Sequence, residues 1–360
     1  MQSDFVKPLL LWYNAAKRDL PWRHTDDPYA IYVSEIMLQQ TRVEAVLGYY
    51  ARFLDALPDP ARLSVCPDDV LFKLWEGLGY YSRARHMKKT AQILMEEHGG
   101  RFPGTKNELL KLPGIGSYTA SAIASIAFGE KTAAVDGNVL RVYARLQAFR
   151  DNILRDAVKK QVEAELTETM AVLPDAGDRS VTGTHPAGDF NQAMIELGAL
   201  VCLPRGEARC GSCPISRFCQ AKVQGLVEEL PLRLAPQKRR EEKLTVFLIR
   251  DGDEVAIRKR PEKGLLSGLY EFPNTEGFLT AEEAVRFVEA EGFEALKVRK
   301  LRDARHLFTH VTWLMEGYEI RVSPGSVRRG DCLFVRPDEL KRDYALPSAF
   351  SAYAELLINE

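Results

Sequence analysis

Four of the six cysteines of this chain, Cys202, Cys210, Cys213 and Cys219, lie within 18 residues at the spacing C-x7-C-x2-C-x5-C. Thiols that cluster this way in an intracellular chain are metal ligands before they are disulfide partners. Four thiolates can close a tetrahedral zinc site, and four can also hold a [4Fe–4S] cluster. The loop has one C-x2-C pair where a zinc ribbon has two. Cys66 and Cys332 stand alone and read as ordinary buried or partly buried side chains.

A second chemical stretch is KLPGIGSYTASAIASIAFG, residues 111–129. A Pro-Gly turn presents the amides of Gly114 and Gly116 with no side chain in the way, beside the positive end of a helix that starts at Ser117. Such a corner holds a phosphate. No strand precedes it and a third glycine is missing, so it is not a dinucleotide loop, and the Gly-Lys-Ser/Thr end of a P-loop is absent. What remains is a helix–hairpin–helix, whose phosphate contacts would position DNA without reading it, or a plain helix–loop–helix corner, a fair reading of the turn taken alone. AVDGNV (134–139) follows, with Asp136 seven residues past the end of that stretch. Taken alone, Asp136 reads as a helix cap and Glu35, in SEIMLQQT, as a helix glutamate.

The elements that must carry these groups follow from periodicity. Apolar residues recur at three and four over 29–55, 68–76, 82–98, 106–111, 117–128, 137–147, 156–170 and 189–200, which predicts helices. The stretch from 231, PLRLAPQKRREEK, is polar with two prolines and suits a linker. Beyond it the period becomes two: LTVFLIR and VAIRKR flank DGDE as a β-hairpin. HVTWLMEGYEIRV (310–322) is another strand and AEEAVRFVEAEG (281–292) a helix. This predicts a mainly α-helical N-terminal region and a smaller α+β C-terminal domain: 1–230, a linker at 231–243, and 244–360.

At 360 residues, with 46% hydrophobic and 28% charged side chains, the composition is that of a globular protein of two or three domains. No apolar run is long enough to span a membrane, and the N-terminus does not read as a secretory signal. A cytoplasmic location is expected. The net charge of −1 excludes a nonspecific polycation but not a local DNA-binding face.

The single compact cysteine loop resembles that of the endonuclease III/MutY glycosylase family. LPWR (20–23), SEIMLQQTRV (34–43), WEGLGYYSRAR (75–85), LPGIG (112–116), VDGNV (135–139), FNQAMIELGALVC (190–202) and the cysteine loop (202–219) match the landmarks of the MutY branch in order. The resemblance implies a [4Fe–4S] cluster on the four cysteines. In bifunctional members the second residue after the hairpin's second glycine is a lysine nucleophile. Here it is Tyr118, which points to the monofunctional adenine glycosylases.

By the same resemblance Glu35 is the general acid at the adenine and Asp136 stabilises the cation at the sugar, the two-carboxylate logic of glycoside hydrolysis. Glu35 then needs a raised pKa from an apolar setting. Asn138 orients Asp136 or the water, and Tyr118 supports the sugar. Gln40 and Tyr80 fill the stack that the flipped base vacates, with Gly114, Gly116 and Ser117 on the DNA backbone. Trp22, Arg23 and Gln192 line the adenine pocket; a helix-interface anchor is nearly as good a reading for Trp22.

GLLSGLYEFP (264–273) and HLFTH (306–310) are similar to the Nudix-like module that reads 8-oxoguanine, with Phe308, Thr309 and His310 in the lesion loop. The glutamate order of a Nudix hydrolase is missing from 281–292, so no hydrolase activity is expected there. The implied protein is a monomer acting on double-stranded DNA with A·8-oxoguanine or A·G mispairs. Two alternatives are a bifunctional endonuclease III-like glycosylase/lyase and a noncatalytic iron–sulfur damage sensor. The chain departs from the family in three places. The first cysteine spacer is one residue longer than usual, 175–189 is long and polar, and Thr309 stands where serine is common.

Overall fold

The computed structural model describes residues 3–174, 185–204, 206, 208–232, 239–324 and 331–358. The polar stretch at 175–184 and the linker residues 233–238 lie outside the described residues. The chain divides into two compact units, Met1–Val65 with His86–Ala235, and Cys66–Arg85 with Pro236–Glu360. The expected division at 230 missed that Cys66–Arg85, which carries WEGLGYYSR, belongs with the C-terminal unit.

In chain order the first helices are α1 (Val6–Ala16), α2 (Pro28–Leu38), α3 (Val43–Ala56), α4 (Pro60–Val65), α5 (Asp68–Leu74) and α6 (Ser82–Glu97). Then follow α7 (Lys106–Leu109), α8 (Ser117–Phe128), α9 (Gly137–Leu146), α10 (Asp156–Thr169), α11 (Pro186–Leu200) and α12 (Gln220–Val223). The expected single helix over 29–55 is two. Gln40 takes a left-handed backbone at φ 60°, and a side-chain-bearing residue there ends the α-helical ladder.

Helix packing around a large apolar core holds the first unit together. Phe5 just before α1, Leu9 and Tyr13 of α1, Val139, Val142 and Tyr143 of α9, and Phe190, Met194 and Leu197 of α11 are buried together in it. The positions three and four apart on each helix supply this face. Thus α9 and α11, which carry Asp136's cap and Gln192, are clamped by burial rather than by local propensity.

In the second unit one mixed sheet contains β1 (Arg240–Asp251), β2 (Glu254–Lys259), β3 (Tyr270–Glu271), β4 (Asn274–Glu276), β5 (Ala295–Lys300), β6 (Ala304–Leu307), β7 (Val311–Val322) and β8 (Cys332–Val335). Its order is β3-β2-β1-β7-β5, with β4 on β1, β6 on β7 and β8 on β2. The predicted hairpin forms, with Asp251 opposite Glu254 and Gly252 at φ 57°. β1 and β7 run parallel over their length, from Arg240 opposite Val311 to Arg250 opposite Arg321. Alternating side chains fill two cores. Leu244, Val246, Leu248, Trp313 and Met315 face α15 (Ser351–Ile358), while Phe247, Ile249 and Ile320 face α13 (Ala281–Ala290). Between them in sequence lies α14 (Pro337–Asp343). No helix among the described residues is long and apolar enough to cross a membrane.

Candidate active site

In the first unit, Trp22, Arg23, Glu35, Tyr118, Asp136, Asn138 and Gln192 line one cavity of about 310 Å³, within the range of small-ligand pockets. Seven of the side chains singled out from the sequence thus meet, from five separate elements.

Glu35 lies on α2, whose face is almost wholly apolar and buried. Tyr118 donates a hydrogen bond to its carboxyl, but Oε2 is buried without a partner. Burial pushes the Glu35 carboxyl up to about 7; the Tyr118 bond opposes this, the Asp136 charge adds to it, and Arg23 opposes it again. Tyr118 itself is raised well above its ordinary value, first by burial and then by the charges of Glu35 and Asp136, so it stays a donor.

Asp136 caps α9: Oδ1 accepts from the Asn138 and Val139 amides at 2.9 and 2.8 Å, and Oδ2 from the Asn138 carboxamide at 2.8 Å. Burial raises its pKa, while these donors and the nearby Arg141 charge pull it down. Three donors stabilise the ionised form of Asp136, against one at Glu35. Arg141 steadies Asn138, donating to its Oδ1 at 2.9 Å and to the Gly198 carbonyl at 2.7 Å.

The hairpin takes the expected form. Gly114 has φ 74°, and a Cβ there would sit 2.6 Å from the His86 Cβ, so both conformation and space demand glycine. Gly116 caps α8 without any side-chain acceptor and has open space above it. Ser117 is less free than its position suggests, because its hydroxyl donates to Glu163 Oε2 at 2.6 Å and Lys106 pairs with the same carboxylate. Gln40 is exposed and does not line the cavity.

Sequence reasoning missed Glu196 and Arg18, which also line the cavity. Glu196 is fully buried and gripped by Arg18 and Arg23 at 2.7 and 2.9 Å. Burial alone would raise its carboxyl, but the two guanidinium groups hold it down at about 2. The signal was its place four residues after Gln192, hence on the same helix face.

The four cysteines line a second small cavity of about 30 Å³ in the same unit. Arg145 of α9 closes it, donating to Cys202 Sγ at 3.4 Å and the Leu203 carbonyl at 2.7 Å. Burial, with the neighbouring thiols, pushes Cys213 up to about 11, against a backbone hydrogen bond from Ile215. Among the described residues no three His, Cys, Asp or Glu side chains group closely enough for a single metal ion.

The remaining candidates lie in the second unit. Phe308 N donates to the Val311 carbonyl at 2.8 Å, so Thr309 and His310 form the exposed two-residue turn between β6 and β7. Phe308 is anchored instead, its ring 4.6 Å from His306 and 4.9 Å from Trp313. Tyr80 is exposed at φ 48°. Arg83 holds its turn, donating to the Leu78 and Gly79 carbonyls at 3.0 Å.

The buried Glu35 carboxyl and the capped Asp136 carboxylate thus line one cavity, in the unit that also carries the helix–hairpin–helix turn. Residues 33–170 match the HhH-GPD superfamily of base excision DNA repair proteins, and residues 245–356 match the NUDIX domain. The chain is 32% identical to an adenine DNA glycosylase of Buchnera aphidicola over 86% of this chain and 83% of that protein. It is 34% identical to the mouse adenine DNA glycosylase over 88% of this chain and 70% of that one. Among solved structures, a thermostable thymine-DNA glycosylase superposes with a TM-score of 0.52 at 31% identity, over 61% of this chain and 96% of its own. The chain belongs to the adenine DNA glycosylase family of base excision repair enzymes.

Proposed function

We propose that this chain flips adenine out of duplex DNA and hydrolyses its N-glycosidic bond, with adenine opposite 8-oxoguanine as the preferred substrate. The observation that carries the chemistry is the pairing, in one cavity, of a glutamate pushed up to about 7 with an aspartate held by three donors. Glu35 enters the reaction protonated and gives its proton to the departing base. Asp136, ionised, faces the positive charge that develops on the sugar. Asn138 keeps the Asp136 carboxylate in place, and a water then completes hydrolysis at the cation. Tyr118 holds the Glu35 carboxyl in orientation.

Base flipping costs a few kcal/mol. Gln40 and Tyr80 offset it by entering the vacated stack, and the left-handed backbone of both supports that role, because strained, exposed conformations persist where the surroundings enforce them. Gly114 and Gly116 hold a phosphate of the DNA backbone. Trp22, Arg23 and Gln192 bound the adenine. Thr309 and His310 contact the 8-oxoguanine, with Phe308 fixing the turn.

The cysteine set fits a [4Fe–4S] cluster held by Cys202, Cys210, Cys213 and Cys219. Four thiols around one cavity, with Arg145 beside Cys202, supply the four thiolates that such a cluster takes. When bound it supplies four metal–thiolate links that tie the loop after α11 to α12.

Single-turnover adenine release from A·8-oxoguanine and A·G duplexes tests the reading. Faster release from A·8-oxoguanine, with no strand cleavage and no borohydride-trapped adduct, is expected. A trapped adduct would instead establish the lyase chemistry of the bifunctional branch; no lysine is among the residues lining the cavity.

A further inference from the structure

Asp136 ends an extended connection from α8, and that connection is held by the side chain of Asn191, on α11. It is 2% exposed, and its Oδ1 accepts from the Ala134 amide at 2.9 Å while Nδ2 donates to the Thr132 carbonyl at 2.9 Å and to Ser125 Oγ at 2.8 Å. The orientation of the carboxamide is unambiguous, because an amide N–H can meet only its oxygen and a carbonyl only its nitrogen. The carboxamide therefore pairs with residues 132 and 134 as a neighbouring strand would, two residues before Asp136. Two weaker ties assist: Ala133 N donates to Thr167 Oγ1 at 3.0 Å, and the Ser121 and Thr132 hydroxyls lie 3.1 Å apart.

We infer that Asn191 is a positioning residue, which sets the distance of Asp136 from Glu35 by docking the 132–134 backbone onto α11. The inference rests on the catalytic reading of Asp136. Asn191 does not line the cavity, whereas its neighbour Gln192 does, so α11 uses one residue for the pocket and the adjacent one for the carboxylate's backbone. Only a carboxamide satisfies the set, since the position needs one acceptor and two donors at once.

The test uses the full chain and an A·8-oxoguanine duplex. Asn191→Asp keeps shape and the acceptor for Ala134 but places a carboxylate oxygen against the Thr132 carbonyl. We expect single-turnover adenine release to fall about 10- to 100-fold, the scale of a small misplacement of reacting groups. Affinity for a duplex with a non-cleavable adenine analogue should stay within about twofold, since no phosphate or base contact is touched. Ser125→Ala removes only the outer bond and should give a smaller loss in the same direction, which keeps the test open if Asn191→Asp fails to fold. Wild-type release by the folded variants, or a rate loss matched by an equal loss of affinity, overturns the inference. Asp136→Asn measured alongside separates the two readings: if it releases adenine normally, the role of Asp136 has failed; if it is inactive while the Asn191 variants are normal, only the positioning role has.

Discussion

The hydroxyl of Tyr80 lies 2.7 Å from that of Thr309, across 229 residues of sequence and within one compact unit. The residue expected to enter the DNA stack thus touches the turn expected to read the opposite base. Tyr80→Phe and Thr309→Val should each lower the preference for A·8-oxoguanine over A·G a few-fold. The double variant should be little worse than either, because they share one exposed hydrogen bond worth about 1 kcal/mol or less. Additive losses in single-turnover ratios would show that the two act separately. A chain cut near residue 230 is a poorer probe, since Cys66–Arg85 would lose the unit it belongs to.

Activity and stability both depend on the proton of Glu35. Its pKa rises from 4.5 unfolded to about 7 folded, so the native state holds a proton that the unfolded chain releases. The resulting stability is full below pH 4.5 and is lost as pH rises to 7, by roughly 3 kcal/mol in total. Glu35→Gln should be inactive at every pH. It should also raise the melting temperature relative to the parent at pH 7.5 while matching it near pH 4.5. Adenine release by the parent should decline above about pH 7.

Asp136→Asn keeps a good helix cap, so stability should change by less than about 1 kcal/mol. Adenine release should still fall by at least about 100-fold, through loss of the charge facing the cation. Thermal melting and single-turnover kinetics on one preparation check both halves.

Gly198 on α11 packs on Asn138 so closely that a Cβ would stand 2.6 Å from the Asn138 Cβ and 3.1 Å from its Cα. Gly198→Ala should cost about 1–3 kcal/mol as overpacking. It should slow adenine release beyond that loss of folded protein, because the shifted residue is the one that holds Asp136. An unchanged rate per folded molecule would separate Asn138 from catalysis.

Purified protein should be brown, with about four irons per chain by the thiolate count. Cys213→Ser should remove the colour and most soluble protein. Stoichiometric zinc without iron, in protein prepared anaerobically, would show that the thiols hold a different metal.

Much of this was legible in the residues themselves. The LPGIG turn, the cysteine spacing and the switch from a period of three and four to a period of two depend on local backbone sterics and side-chain periodicity, which neighbours in sequence express. Glu35 and Asp136, with the acid and carboxylate roles that the resemblance implies, could be named from their motifs, but not the difference in surroundings that suits those roles. That difference arises because α2 buries Glu35 with a single donor while α9 offers Asp136 three. The salt-bridged Glu196, the pairing of Asn191 with the 132–134 backbone and the Tyr80–Thr309 contact join residues 57 to 229 positions apart. The assignment of Cys66–Arg85 to the C-terminal unit is of the same kind. No local propensity encodes such contacts: burial and desolvation are properties of the packed chain, and only the tertiary structure decides which polar groups are left to satisfy one another.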